Sequence, residues 1–319
     1  MPKSIMSNIK FTPVRFGGWN DNELYKSEAF KKLNGNSRVS PSWGVEIECL
    51  IDQSMANKIN RVIKNLPIYH GNMSALEVIQ LELDIRSIEK VINYFLIGTD
   101  GSIRINKGGD YPVEFKSHVF LTYDGIDVIE DFYNTIKPKF NTTCGIHLNI
   151  GKDSIKNFGT FFSFLIIYHK MIANHFSHSR ISLEGGGYVL SKSLPYHKEQ
   201  LIDLTNKLER EVYYYLSNNG YELYNHYNII NTARNGRLEI RTLGGTVDIK
   251  NVLEFIKTIL IGLELCNDQR INEKTIAEFL HTKWDKVNKL TNALNKQTSE
   301  QNSYRSQLRK MFDEFLKCS

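Results

Sequence analysis

The chain has 319 residues, 41% of them hydrophobic and 24% charged, with a formal net charge of +5. That is enough apolar material for one large mixed domain or two ordinary ones, and it excludes a chain disordered throughout. The mild positive charge suits anionic ligands such as nucleotides rather than dedicated nucleic-acid binding, and Cys49, Cys144, Cys266 and Cys318 lack the spacing of a disulfide framework or zinc knuckle.

Residues 1–40 are polar, with Phe11, Phe16 and Trp19 as isolated anchors, and read as an arm without the continuous apolar core of a secretory signal. Residues 43–51 alternate as a strand, and 74–95 have the helical recurrence Ile85, Ile88, Val91, Ile92, Phe95. The turn signal Asn106-Lys107-Gly108-Gly109-Asp110 predicts a hairpin pairing Ile103 with Val113, which brings Asp100 to the same end as Glu114 and Lys116. A helix is expected over 124–136, ended by Pro138, then a strand over 143–150.

The apolar run 158–176 predicts a buried helix against a sheet; its continuous apolar part falls short of the ~20 residues of a membrane span, so a cytoplasmic location is expected. Gly185-Gly186-Gly187 reads as a flexible loop with no phosphate-binding spacing, 201–216 as one helix, and 221–231 as a Tyr- and Asn-rich stretch. After a strand over 237–243, Gly244-Gly245 breaks the ladder and Asp248 caps a helix to about Cys266. Residues 281–319 are helical in character, with eight Lys or Arg against four Asp or Glu. The order predicts an α+β fold with a largely antiparallel sheet covered by helices on one face. The organisation expected is an arm (1–40), a catalytic domain (41–268) and a basic helical extension (269–319).

Several segments place charged or amide side chains at i and i+2 with apolar residues between: Glu46 and Glu48, Glu114 and Lys116, His147 and Asn149, and Arg237, Glu239 and Arg241. On a strand each set shares a face, while Val45, Ile47, Phe115, Ile146, Leu148, Leu238 and Ile240 take the opposite one. A face gathering Glu46, Glu48, Glu114 and Glu239 repels itself unless a cation is bound. Carboxylate oxygens suit Mg²⁺ or Mn²⁺ better than zinc. Arg237 and Arg241 offer planar forks for a phosphate or carboxylate beside that cation.

These residues form ordered motifs. Gly44-Val45-Glu46-Ile47-Glu48, Asp100-Gly101-Ser102-Ile103, Glu114 with Ser117, Cys144-Gly145-Ile146-His147-Leu148-Asn149, Asn231, Leu238-Glu239-Ile240-Arg241 and Gly244-Gly245-Thr246-Val247-Asp248 resemble, in that order, the motifs of the amidoligase family, kin to glutamine synthetase and glutamate-cysteine ligase. The resemblance covers about residues 42–266. It implies a curved antiparallel sheet of the glutamine synthetase kind and ATP-dependent joining of a carboxylate to an amine, peptides and proteins included, through an acyl phosphate. It further implies that Glu46, Glu48, Glu114 and Glu239 hold Mg²⁺ or Mn²⁺, that His147 contacts ATP phosphate with Asn149 nearby, and that Arg241, assisted by Arg237, stabilises the transferring phosphoryl group, with Asp100 in the catalytic set. His118 stands where the family has proline, and 180–189 departs from the family's substrate segment, so the acid and amine do not transfer.

Other readings stand beside this one. Glu46 and Glu48 alone would be the solvated face of an edge strand, Glu239 a rung of a surface charge ladder, His147 a core histidine and Cys144 buried packing. Asp100 followed by Glu114-Phe115-Lys116 also fits a metal-dependent nuclease, though that scheme leaves Glu46, Glu48, Glu239 and Arg241 without work. A non-catalytic peptide-binding module on the same scaffold is the third reading. Nucleic acid and membrane are not among the expected partners, and the oligomeric state is left open.

Overall fold

Period-two patterning extends β1 (Trp43–Asp52): Val45, Ile47, Cys49 and Ile51 alternate with Glu46, Glu48 and Leu50, and side chains of both parities are buried. The chain was described from a computed structural model, which covers residues 41–67, 73–99, 101–105, 109–121, 123–172, 197–219, 230–231, 236–294 and 300–317. The arm 1–40, Asp100, most of the Asn106–Asp110 turn, the segment 180–189 with its glycines, and the Tyr-rich 221–229 lie outside the described residues.

After β1 come α1 (Gln53–Ile63), α2 (Ala75–Ile92), β2 (Phe95–Gly98), β3 (Asp110–Ser117), α3 (Gly125–Ile136) and β4 (Gly145–Gly151). There follow α4 (Phe158–Met171), α5 (Lys198–Leu204), α6 (Glu209–Asn218), β5 (Ile230–Asn231), β6 (Arg237–Gly244), α7 (Ile249–Asn267), α8 (Glu273–Leu294) and α9 (Gln301–Lys317). The six strands form one open antiparallel sheet in the order β2-β3-β1-β4-β6-β5, which gives an α+β fold. Two compact units make up the chain: one takes the described residues up to Ile146 with Gly245–Leu253, the other His147–Gly244 and the chain from Glu254 onward.

In the first unit β3 pairs with β1 along one edge and β2 along the other, both antiparallel. The hairpin partner of β3 is therefore β2, with Phe95 opposite Ser117 and Gly98 opposite Glu114, and not the expected strand through Ile103. Ile103 instead packs with Leu50 and Cys144 in a small apolar cluster. Phe132 on α3 meets Phe95 and Phe115 with ring centroids 4.9 and 4.8 Å away, which joins helix to strands. α2 opens with a reciprocal cap: Glu77 accepts from the Ser74 backbone N–H at 2.7 Å, and the Ser74 hydroxyl accepts from the Glu77 N–H. α3 ends as expected before Pro138, with Lys137 in the left-handed region at φ 51°.

In the second unit α4 buries every side chain except that of Lys170. Phe164 and Tyr168 pack at a tilt against Phe312 of α9, Tyr168 also meets Phe255, and Phe158 meets Tyr213 of α6 edge-on. The helix expected over 201–216 is two helices. The chain breaks at 205–208 because its carbonyls there turn outward to α4: Thr205 O accepts from the Thr160 hydroxyl at 2.7 Å and Lys207 O from the Gly159 N–H at 3.1 Å. Glu211 then caps the new start by accepting from the Leu208 N–H at 2.8 Å. Among the described residues no helix is long and apolar enough to cross a membrane.

Candidate metal centre

Strand register builds the acidic edge of the first unit. Glu46 stands opposite Lys116 and Glu48 opposite Glu114, and directly opposed residues of antiparallel strands share a face. Glu46 and Glu48 are each only 4% exposed, so this face is interior rather than solvated. β1 lies between β3 and β4 in the strand order, which removes the edge-strand reading of the Glu-x-Glu pair. Carboxylates taken out of water carry a desolvation cost of several kcal/mol each unless a cation or hydrogen bonds compensate. Here Lys116 Nζ lies 3.0 Å from Glu114 Oε2 and 3.7 Å from Glu46 Oε2. Burial, with the negative charge of Glu46 beside it, still pushes the Glu114 carboxyl up to about 7 against the pull of that ammonium.

β4 and β6 carry the polar set of the second unit. Glu239 is fully buried and ringed by donors. Arg241 NH1 donates to its Oε1 at 3.1 Å, Asn231 of β5 donates to its Oε2 at 2.9 Å, and His147 Nδ1 lies 3.3 Å from Oε1. Asn231 reaches it because β5 pairs with β6 so that Asn231 opposes Glu239. Among the described residues Arg241 Nε is buried with no hydrogen-bond partner, so the guanidinium keeps one donor that Glu239 does not satisfy. Asn149 shares the parity of His147 on β4 and is buried, and Arg237 lies on the Glu239 face of β6.

Within the second unit, buried His147 and Glu239 bring an imidazole and a carboxylate together, donors of the kind that could hold a divalent metal ion. Of the four carboxylates expected as ligands, Glu239 stands here. Glu48 and Glu114 stand on the β1–β3 face with Glu46, and Glu114 is held by Lys116. His147, expected at a phosphate, stands among the ligand atoms; its i+2 relation to Asn149 signalled a polar face but not which charge it would meet. Asp100 lies outside the described residues. Cys144, apart from this polar set, is buried against Leu50, Ile103 and Phe140 as the packing reading expects. Comparisons of the chain with protein-family models, curated proteins and solved structures return no match.

Proposed function

We propose that the chain is an ATP- and Mg²⁺-dependent ligase that joins a carboxylate to an amine through an acyl phosphate, as the order of its motifs implies. The curved glutamine synthetase-like sheet, helices on one face and a cytoplasmic setting belong to the same proposal. The observation that carries it is the buried pair of His147 and Glu239 with Arg241 bonded to the carboxylate. Buried carboxylates beside a guanidinium suit a reaction whose demand is neutralisation of phosphate oxygens, with little covalent work for the protein.

Glu239, with His147 beside it, would hold the metal ion, Mg²⁺ or Mn²⁺. When bound, that ion supplies charge neutralisation at the phosphate oxygens. Asn231 and Arg241 fix both oxygens of Glu239, so the carboxylate is oriented before any ion arrives. Arg241 Nε is a donor left over for an anionic oxygen, the role expected of a residue that steadies a transferring phosphoryl group. His147 and Asn149, neighbours in parity on β4, would orient ATP.

The test uses ATP, Mg²⁺ and a panel of free amino acids and short peptides as acids, with hydroxylamine as the amine. ADP release that requires all three components, with accumulation of hydroxamate, is expected. Glu239→Gln should lower ADP release by at least ~100-fold while its thermal melt shows the fold retained. Absence of Mg²⁺-dependent ATP binding in calorimetry would overturn the proposal, and plasmid cleavage in its place would favour the nuclease scheme.

A further inference from the structure

Where β1 and β3 pair, three carboxylates and one ammonium occupy the four corners of a single face: Glu46 and Glu48 on one strand, Lys116 and Glu114 opposite them. The ammonium stands between two carboxylates from neighbouring strands, 3.0 Å from Glu114 Oε2 and 3.7 Å from Glu46 Oε2. A divalent ion shared by those two residues would sit about 2.0–2.6 Å from each oxygen, in the volume the ammonium already takes. Two cations crowded into so small a space repel strongly in an interior environment.

We propose that Lys116 is a built-in cation: its ammonium fills the position between Glu46 and Glu114, so the β1–β3 face takes no divalent ion of its own. This deepens the metal-dependent reading above, which then needs one ion per chain, with Lys116 supplying a second positive charge of the protein's own. The exposures fit. The Lys116 side chain is 42% exposed while those of Glu46 and Glu114 are 5% and 16% exposed, so a flexible stem runs in from solvent and delivers its charge to buried acids. A surface ion pair has two wet partners and is worth little. Removing Lys116 would instead take the ammonium away from between two largely buried carboxylates, a change that favours another cation there. Register makes the position permanent, because a slip of one residue would turn Lys116 to the opposite face.

The experiment is Mn²⁺ stoichiometry by equilibrium dialysis with metal analysis on the full chain. The wild type should bind one Mn²⁺ and Lys116→Met two, while Lys116→Arg, which keeps the charge, stays at one. Adding Glu114→Gln to Lys116→Met should remove the gained ion. Lys116→Gln serves as a second neutral variant should the Met form fail to fold, with the same gain expected. A wild type that binds two ions, a neutral variant that binds no more than the wild type, or a gained ion that survives Glu114→Gln would each remove Lys116 from this role. A wild type that binds none while the neutral variant gains one would keep Lys116 in it and overturn the metal-dependent ligase instead.

Discussion

At Glu114 the electrostatics of the candidate site reach the stability of the fold. Its folded pKa, about 7, stands above the ordinary 4.5, so the folded chain holds this proton more tightly than the unfolded one. Its contribution to stability is therefore fully present below about 4.5 and is lost as pH rises through about 7. Thermal melts from pH 5 to pH 8 should show the wild type losing roughly 1–3 kcal/mol relative to Glu114→Gln, which lacks the titration. Parallel pH profiles would show that Glu114 is not strained by its surroundings. The sequence made this face legible through parity alone: Glu46 and Glu48 on one strand, and Glu114 and Lys116 on the other, each stand two residues apart. It could not show which cation each acid meets, because Lys116 opposes Glu46 only through the register of a strand more than sixty residues away.

Elements were legible where local patterning decides them and illegible where tertiary bonds do. β1, β4 and β6 alternate cleanly, and Asp248 caps α7 as its sequence suggests, accepting from the Lys250 N–H at 3.0 Å. The break between α5 and α6 has no Gly or Pro to announce it, since it is made by carbonyls of 205–208 bonding to α4. β2 was hidden inside a helical periodicity, and α1 follows β1 without a loop, with Asp52 ending the strand and capping the helix through the Met55 N–H. The close approach of α4 to that break depends on Gly159, where an added Cβ would collide with the Leu204 carbonyl oxygen and come within 2.8 Å of the Lys207 carbonyl oxygen. Both are backbone atoms that cannot rotate away. Gly159→Ala should cost about 2–3 kcal/mol in a denaturant melt, and a cost below about 0.5 kcal/mol would mean the two segments are not held together there.

Across the whole chain, composition and element order were enough for the α+β class and the antiparallel sheet, since both follow from strand patterning interleaved with helical periodicity. The division into two units was not visible, because it depends on which long-range partners each helix finds. Cys49, Cys144 and Cys266 are buried free thiols, and burial pushes those of Cys49 and Cys266 up, away from the reactive thiolate. A thiol reagent followed by peptide mass spectrometry should leave all three unlabelled in the native protein and label all three in denaturant. Labelling of Cys144 under native conditions would mean that its apolar cluster opens readily.

β1 has hydrogen-bonded neighbours on both sides and carries Glu46 and Glu48. Amides in such a strand exchange with deuterium only on large-scale opening, among the slowest in a domain. Chemistry staged on that strand cannot draw on its breathing. Under the ligase proposal, substrates would enter and leave by movement at the periphery, while Glu46 and Glu48 stay as still as any part of the molecule.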